Sequence, residues 1–535
     1  MAKTLLIGWD GGTFDLLEPF WENGTMPFLK SFVDRGVRAT LRSGIPDNTY
    51  AMWPSIATGR SPSHHGILDF SRVTRDETGY IHTSLATATD VRCETLWSIA
   101  SRQGRQVGVL NWPVSFPPIE GPSVYLVPGF VGSRHLRAAT RPRGFYEEIA
   151  SLPGFKAQQL GFDMDAERKA IQDLEKEKYE SWIRFHILRE ERWLDVARLL
   201  LCDKACELVA VVFDGPDKLQ HLCWRFIDLR FGATLTTSWE RGVNELCKRY
   251  YRRLDEILAD LVALAGPDAR VIIASDHGFG PSEELFYINT WLEQQGYLRW
   301  APAVPFDSIG KMAMDESTRS ATVLFDWPST KACALSAGSN GIFINVTASP
   351  SMPGVRPEEY HAFREQLKQK LLAFTDPSGK RVVTRVYTRE EAFPGPMIMQ
   401  APDLTLELRD SGFFSILRAE HPFRKRSEVM GTHHPEGIFM AAGPGIKPGL
   451  HAPELSILDV APLVLYSLGL SIPSDFEGQL PLAILEDQFV QANPPRVGAP
   501  NLLIGQHYTP LEPKVQEVVE DPQIIQRLRA LGYLE

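Results

Sequence analysis

Four groups of side chains in this sequence have the chemistry of metal ligands, and each sits beside an apolar run that reads as a β-strand. They are Asp10, the pair Asp217 and His221, the doublet Asp276-His277, and the histidines of Gly431-Thr-His-His-Pro-Glu-Gly437. Asp10 ends a strand-like run and precedes two glycines, which permit a sharp turn and leave a carboxylate at the end of the strand. Asp217 and His221 are spaced i, i+4, so on a helix they share a face and can grip one ion. Asp276-His277 is followed by Gly278, and because adjacent side chains on an extended strand point to opposite faces, a shared ion there requires a turn. Spacing alone does not choose between His433 and His434.

A further residue supplies a candidate nucleophile. Thr49 lies in Pro46-Asp-Asn-Thr-Tyr-Ala-Met-Trp-Pro-Ser-Ile-Ala-Thr-Gly59. A threonine hydroxyl attacks poorly at neutral pH unless a base or a metal lowers its pKa. At the head of a helix it would also lie beside backbone N–H groups that favour an anion. The plainer role for such a Thr is to cap that helix.

Residues so far apart in the chain meet only if the fold brings strand ends together. A parallel sheet does this, because ligands on loops past the strands' carboxyl ends converge on one crevice. The sequence alternates accordingly. Thr4 to Trp9 reads as a buried strand, Phe14 to Arg35 as helix and Val37 to Leu41 as the next strand. Further strands are expected at Val107 to Leu110, Leu208 to Phe213 and Arg270 to Ala274, with helices near Glu94 to Gly104, Ser238 to Ala265 and Ile457 to Leu468. Asn111, Trp112 and Phe116 follow one of those strands and are expected to line a substrate pocket.

The fold class expected is α/β, a doubly wound, mostly parallel sheet flanked by helices and carrying cap insertions. Residues 1–485 are read as the catalytic domain, with a helical insertion at about 135–200 and an irregular cap at about 300–337. Residues 486–535 are read as a linker and a C-terminal helix near Asp521 to Leu531.

Composition narrows the setting. The chain has 535 residues, 44% of them hydrophobic, enough for a sizeable core. A net charge of -10 argues against a broad surface for duplex nucleic acid and is compatible with a small anionic substrate drawn in by local metal charge. No apolar run reaches the ~18 residues of a membrane span, and MAKTLLIGWDGG lacks the pattern of a secretory leader. The six cysteines show no CxxC spacing and read as reduced thiols, so a cytoplasmic location is expected.

Taken together, the motifs resemble the alkaline phosphatase superfamily, and within it the type I phosphodiesterase/nucleotide pyrophosphatase branch. The resemblance spans nearly the whole chain. It rests on the strand ending in Asp10, the Thr49 to Gly59 segment with His65-Gly66-Ile67, the Asp-x-x-x-His pattern at Asp217 to His221, Ser275-Asp-His-Gly278, and the Gly-x-His loop at Gly431 to His433. It implies one site formed by Asp217, His221 and His433, and a second formed by Asp10, Thr49, Asp276 and His277. In that loop pattern His433 takes the ligand place and His434 the variable one. Two divalent ions are expected, Zn²⁺ fitting best with Mn²⁺ or iron as alternatives.

The implied activity is metal-dependent hydrolysis of small phosphodiesters or phosphomonoesters, with Thr49 as nucleophile and a phosphothreonine intermediate. Nucleotide pyrophosphatases carry a phosphate-contacting Asn soon after His-Gly-Ile. Here that stretch reads Leu68-Asp69-Phe70, so nucleotide specificity does not carry over. Three other readings share the core: an isomerase resembling cofactor-independent phosphoglycerate mutase, a sulfate or phosphonate ester hydrolase, and a catalytically silent binding protein. The mutase family uses Ser where this chain has Thr49 and needs an arginine cluster for its substrate's carboxylate. Sulfatases need a modified Cys or Ser as nucleophile, and no Cys is near Thr49.

Overall fold

Strand β1, Thr4–Trp9, is buried along its whole length, and its side chains divide between the two faces of the sheet it helps to build. Leu5, Ile7 and Trp9 enter one hydrophobic cluster, and Leu6 enters another. Strand β5, Leu208–Phe213, divides in the same way, with Val209, Val211 and Phe213 on one side and Leu208, Ala210 and Val212 on the other. A strand apolar on both faces needs helices above and below it, which is the doubly wound arrangement.

The computed structural model describes residues 3–75, 81–118, 123–163, 167, 170, 174–301, 324–347 and 354–500. The remaining strands of the central sheet are β2 (Val37–Arg42), β3 (Val107–Trp112), β4 (Val124–Pro128), β5 (Leu208–Phe213), β6 (Arg270–Ala274), β7 (Glu436–Ala442), β8 (Leu450–His451) and β9 (Leu455–Ser456). Their order is β8-β2-β7-β6-β1-β5-β3-β4, with β9 also paired to β2. Neighbours among β6, β1, β5, β3 and β4 are parallel, whereas β7 runs antiparallel to both β2 and β6. The carboxyl ends of β1, β3, β5 and β6 therefore share one edge.

Helices α1 (Phe14–Glu22), α2 (Pro27–Asp34), α3 (Thr49–Thr58), α4 (Leu96–Arg102), α5 (Tyr179–Arg198), α6 (Gly215–Ile227), α7 (Ser238–Ala265) and α8 (Val460–Ser467) cover the two faces. Residues of α1, α2, α5, α6 and α7 fill one cluster; those of α3, α4 and α8 fill the other. The sequence predicts one helix from Phe14 to Arg35, but the chain breaks it into α1 and α2. Asn23 ends α1, and Gly24 takes φ +78°, a conformation that stops a helix and favours glycine.

Two compact units emerge. Within the described residues the first holds 3–61, 87–281 and 429–500, and contains the central sheet. The second holds 62–86 and 282–428. Its four-stranded sheet has the order Ala332–Cys333, Gly341–Ile344, Leu404–Leu408, Val383–Thr388, and it has its own core around Trp291, Phe343 and Leu367. Most of the irregular segment expected at 300–337, and the helix expected near 521–531, lie outside the described residues. Among the described residues no helix is long and apolar enough to cross a membrane. All six cysteines are thiols and not disulfides, and all but Cys202 are buried.

Candidate metal centre

The strand-end edge of the first unit gathers seven of the residues singled out in the sequence. Asp10 follows β1, and Asp276-His277 forms a bend between β6 and the next strand, Gly278–Phe286. Asp217 and His221 lie in the first turns of α6, just past β5. His433 lies at the end of the strand Phe423–His434, not in the loop that the glycines around it suggested. That placement separates the two histidines: His433 Nε2 is 3.2 Å from Asp217 Oδ1, whereas His434 Nδ1 accepts the backbone N–H of Glu436. Neighbours on a strand face opposite ways, so only one of them reaches the cluster.

The contacts are close. The ligand atoms of Asp217, His221 and His433 lie within 4.8 Å of one another, and so do those of Asp10, Asp217 and His277. His221 Nε2 is 3.4 Å from Asp217 Oδ1, and His277 Nε2 is 3.5 Å from Asp10 Oδ1 and 3.2 Å from Asp276 Oδ2. Asp217 Oδ1 also comes within 4.0 Å of His277 Nε2, so this carboxylate stands between the two groups. Thr49 heads α3, and its Oγ1 is 3.3 Å from His277 Nε2. Capping of that helix falls to Asn48, whose Oδ1 accepts from Ala51 N at 2.8 Å.

The hydrogen-bond partners fix the imidazole tautomers. Nδ1 of His221, His277 and His433 faces the carbonyl oxygens of Gly431 (3.2 Å), Gly278 (3.0 Å) and Asp47 (3.0 Å) respectively. A carbonyl only accepts, so each Nδ1 carries a proton and each Nε2 faces inward, the orientation of metal-bound histidines. The carboxylates match. Asp10 Oδ1, Asp217 Oδ1 and Asp276 Oδ2 are buried with no hydrogen-bond donor, and they are the oxygens nearest the imidazoles.

Electrostatics reinforce the fit. Burial, then the charges of Asp276 and Asp217, push the Asp10 carboxyl far above the usual range, and burial does the same to Asp276. Burial also opposes ionisation of Asp217, and that carboxyl is held well below its ordinary value only when positive charge sits beside it, from protonated His221 and His433 or from a cation in their place. His277 is held well below the usual imidazole range, by burial first and His433 second. Three carboxylates and three inward lone pairs in one buried space are stable in ionised form only around cations. The mixed N and O donors suit Zn²⁺.

Further hydrogen bonds orient these side chains. Trp53, four residues after Thr49 on α3, donates its indole Nε1–H to Asp10 Oδ2 at 3.4 Å and so turns Oδ1 towards His277. Gly11 N donates to Asp276 Oδ1 at 3.2 Å. The i, i+4 spacing of Thr49 and Trp53 was the sequence signal for this link.

Asn111 and Trp112 lie apart from the cluster. Asn111 is fully buried, with Nδ2 donating to Val212 O and Asp214 Oδ1 and with Oδ1 accepting from Arg189. Trp112 is 1% exposed, donates Nε1–H to Trp53 O at 3.3 Å, and packs edge-on against Trp53 and Trp97. Both are filled by internal contacts. Phe116, by contrast, is 40% exposed.

An α/β sheet whose strand-end edge gathers paired carboxylates, imidazoles and a threonine is the architecture of a metallohydrolase. The sequence model of type I phosphodiesterase/nucleotide pyrophosphatase matches residues 4–436, and the chain belongs to that family, a class of metalloenzymes that hydrolyse phosphoric esters. A comparison with curated proteins finds no match. Among solved structures, phosphonoacetate hydrolase from Sinorhizobium meliloti 1021, in complex with phosphonoformate, superimposes with a TM-score of 0.52 at 17% identity, over 87% of this chain and 95% of the other. Murine ectonucleotide pyrophosphatase/phosphodiesterase 5 does so with a TM-score of 0.51 at 13% identity, over 90% and 100%. An inactive variant of the murine protein, in complex with AMP, gives 0.50 at 12% identity over 88% and 96%. These similarities establish the alkaline-phosphatase-like fold.

Proposed function

We propose that this protein hydrolyses small phosphodiesters or phosphomonoesters in a two-metal site, through a covalent phosphothreonine at Thr49. The observation that carries the reading is the convergence of three inward-facing imidazole Nε2 atoms and three carboxylate oxygens without donors beside the Thr49 hydroxyl. Asp217, His221 and His433 would hold one cation, and Asp10, Thr49, Asp276 and His277 the other. When bound, such cations act as Lewis acids, lowering the pKa of a hydroxyl and drawing charge from phosphate oxygens.

The chain's own residues do the rest. Thr49 presents Oγ1 from the head of α3, where the helix dipole favours an anionic phosphate. As the Oγ1–P bond forms, the ester P–O bond breaks in line and the departing alcohol takes a proton. A water then attacks phosphorus on the face the alcohol left, the Oγ1–P bond breaks, phosphate or a monoester departs, and the threonine hydroxyl is restored. His277 keeps its Nδ1 proton on Gly278 O, so its Nε2 lone pair faces Oγ1 and the cation the two would share. Six cysteines held as thiols and not disulfides support a cytoplasmic setting.

A second reading, hydrolysis at a phosphonate, is favoured by the likeness to phosphonoacetate hydrolase. One experiment separates the two. Purified protein loaded with Zn²⁺ or Mn²⁺ is assayed with p-nitrophenyl phosphate, bis-p-nitrophenyl phosphate, phosphonoacetate and p-nitrophenyl sulfate, and quenched samples are searched by mass spectrometry for phosphorylated Thr49. Turnover of the esters with a phosphothreonine supports the proposal. Turnover of phosphonoacetate alone, or esterase activity unchanged in Thr49→Ala, overturns it.

A further inference from the structure

Arg189 and Glu190 are consecutive on α5, each at most 2% exposed, and they hold the start of α6 in different ways. All five N–H groups of Arg189 find acceptors. Nη1 donates to the carbonyls of Leu160 and Gly161 at 2.8 and 2.7 Å, Nη2 to Asn111 Oδ1 at 3.2 Å and Asp214 Oδ2 at 3.4 Å, and Nε to Asp214 Oδ1 at 3.2 Å. Asp214 occupies the N-cap position of α6, and its carboxylate also pairs with Lys218 one turn further on. Held in this way, it makes no capping bond of its own.

The cap comes instead from the neighbouring helix. Glu190 Oε1 accepts the N–H of Gly215 at 3.0 Å and the hydroxyl of Tyr250 at 2.9 Å. The fit leaves no room for a side chain at position 215, where a Cβ would lie 2.4 Å from Glu190 Oε1 and 2.3 Å from Tyr250 Oη. Burial, then the charge of Asp214, push the Glu190 carboxyl up to about 8, so it bridges these donors in its protonated form at neutral pH.

We infer that Arg189 and Glu190 are positioning residues, fixing the first turn of α6 so that Asp217 and His221 reach the cation they would share with His433. Metal ligands must be held to within a fraction of an ångström, and a helix turn anchored at both its cap side chain and its first free N–H cannot rotate or slide. A planar guanidinium imposes that geometry and an ammonium does not. The inference rests on reading Asp217, His221 and His433 as metal ligands, and the test keeps the two apart.

Full-length, metal-free protein is titrated with Zn²⁺ by calorimetry, and its metal-free melting is followed by circular dichroism. The wild type is expected to bind, and His221→Ala to lose one binding event. Arg189→Lys and Glu190→Ala are expected to weaken that same event by about tenfold or more, the usual effect of losing a contact that orients a metal-binding side chain, while still melting cooperatively. Glu190→Gln, which matches the protonated carboxyl in shape, is expected to restore near wild-type affinity. If Arg189→Lys does not fold, the Glu190 pair decides. Wild-type affinity in Glu190→Ala, or in a folded Arg189→Lys, overturns the positioning role; a wild type that binds no Zn²⁺ overturns the metal-site reading beneath it.

Discussion

The Nε2 atoms of His221 and His433 lie 3.1 Å apart while the Nδ1 of each ring gives its proton to a backbone carbonyl. Two lone pairs at that distance repel unless a proton or a metal cation lies between them. Two Zn–N bonds of about 2.05 Å at a tetrahedral angle would set the nitrogens about 3.3 Å apart, close to the spacing observed.

Binding of metal to the folded protein should therefore stabilise it. At a free Zn²⁺ concentration one hundred times the dissociation constant the gain is about 2.7 kcal/mol, seen as a higher melting temperature that chelator removes. In His221→Ala the gain should shrink, because one imidazole of the pair is gone. Equal melting of wild type with and without chelator is the result that counts against a metal centre here.

Thr49→Ala should fold and bind metal yet lose turnover by at least about a thousandfold, as expected on removing a covalent nucleophile. Asn48, not Thr49, caps α3, so helix stability should change little. Thr49→Ser keeps the hydroxyl and should keep much of the activity. Melting curves with steady-state rates on bis-p-nitrophenyl phosphate check both parts, and a turnover loss matched by unfolding would remove the chemical explanation.

The convergence of these side chains was legible in the sequence for a physical reason: parallel strands apolar on both faces read as unbroken apolar runs, and the residues just past them must share an edge. Asp10, Asp276 and the i, i+4 pair on α6 follow from that rule. His433 required the strand, because only the alternation of side chains separates it from His434. Arg189 and Glu190 gave no signal, since their partners Asp214 and Gly215 are reached by packing of α5 against α6 and not by any local pattern. Asn111 gave a misleading one: a polar residue after a strand suggested a substrate contact, yet φ +54° turns it into the buried network of Arg189.

Asp69 should make stability fall as pH rises. Its carboxyl is buried in the second unit, accepts from Ser339, Ser336 and Phe70 N, and is pushed from 3.8 to about 6, by burial above all. Between those values the folded state holds a proton that the unfolded chain has released, so unfolding free energy declines from about pH 4 to about pH 6 and then levels off, by about 3 kcal/mol in all. Asp69→Asn removes this term, and its melting temperature relative to wild type should rise across that window. A pH-independent difference would show that Asp69 is not raised.

Gly8→Ala should damage the site from beneath. A Cβ on Gly8 would lie 2.5 Å from Trp53 Cη2 and 2.8 Å from Val212 Cγ2, inside a packed sheet–helix interface. Overpacking of this kind destabilises by roughly 1–3 kcal/mol, measurable by urea unfolding. The ring that must move is the one whose Nε1–H reaches Asp10 Oδ2, so turnover should fall beyond what the stability loss explains. Trp53→Phe loses that donor together with part of the buried ring packed on Gly8 and Trp112; it should lower stability and also weaken metal binding by about tenfold, an effect read on the folded protein. If Trp53→Phe binds Zn²⁺ as tightly as wild type, the indole serves packing alone and Asp10 is oriented by β1 without it.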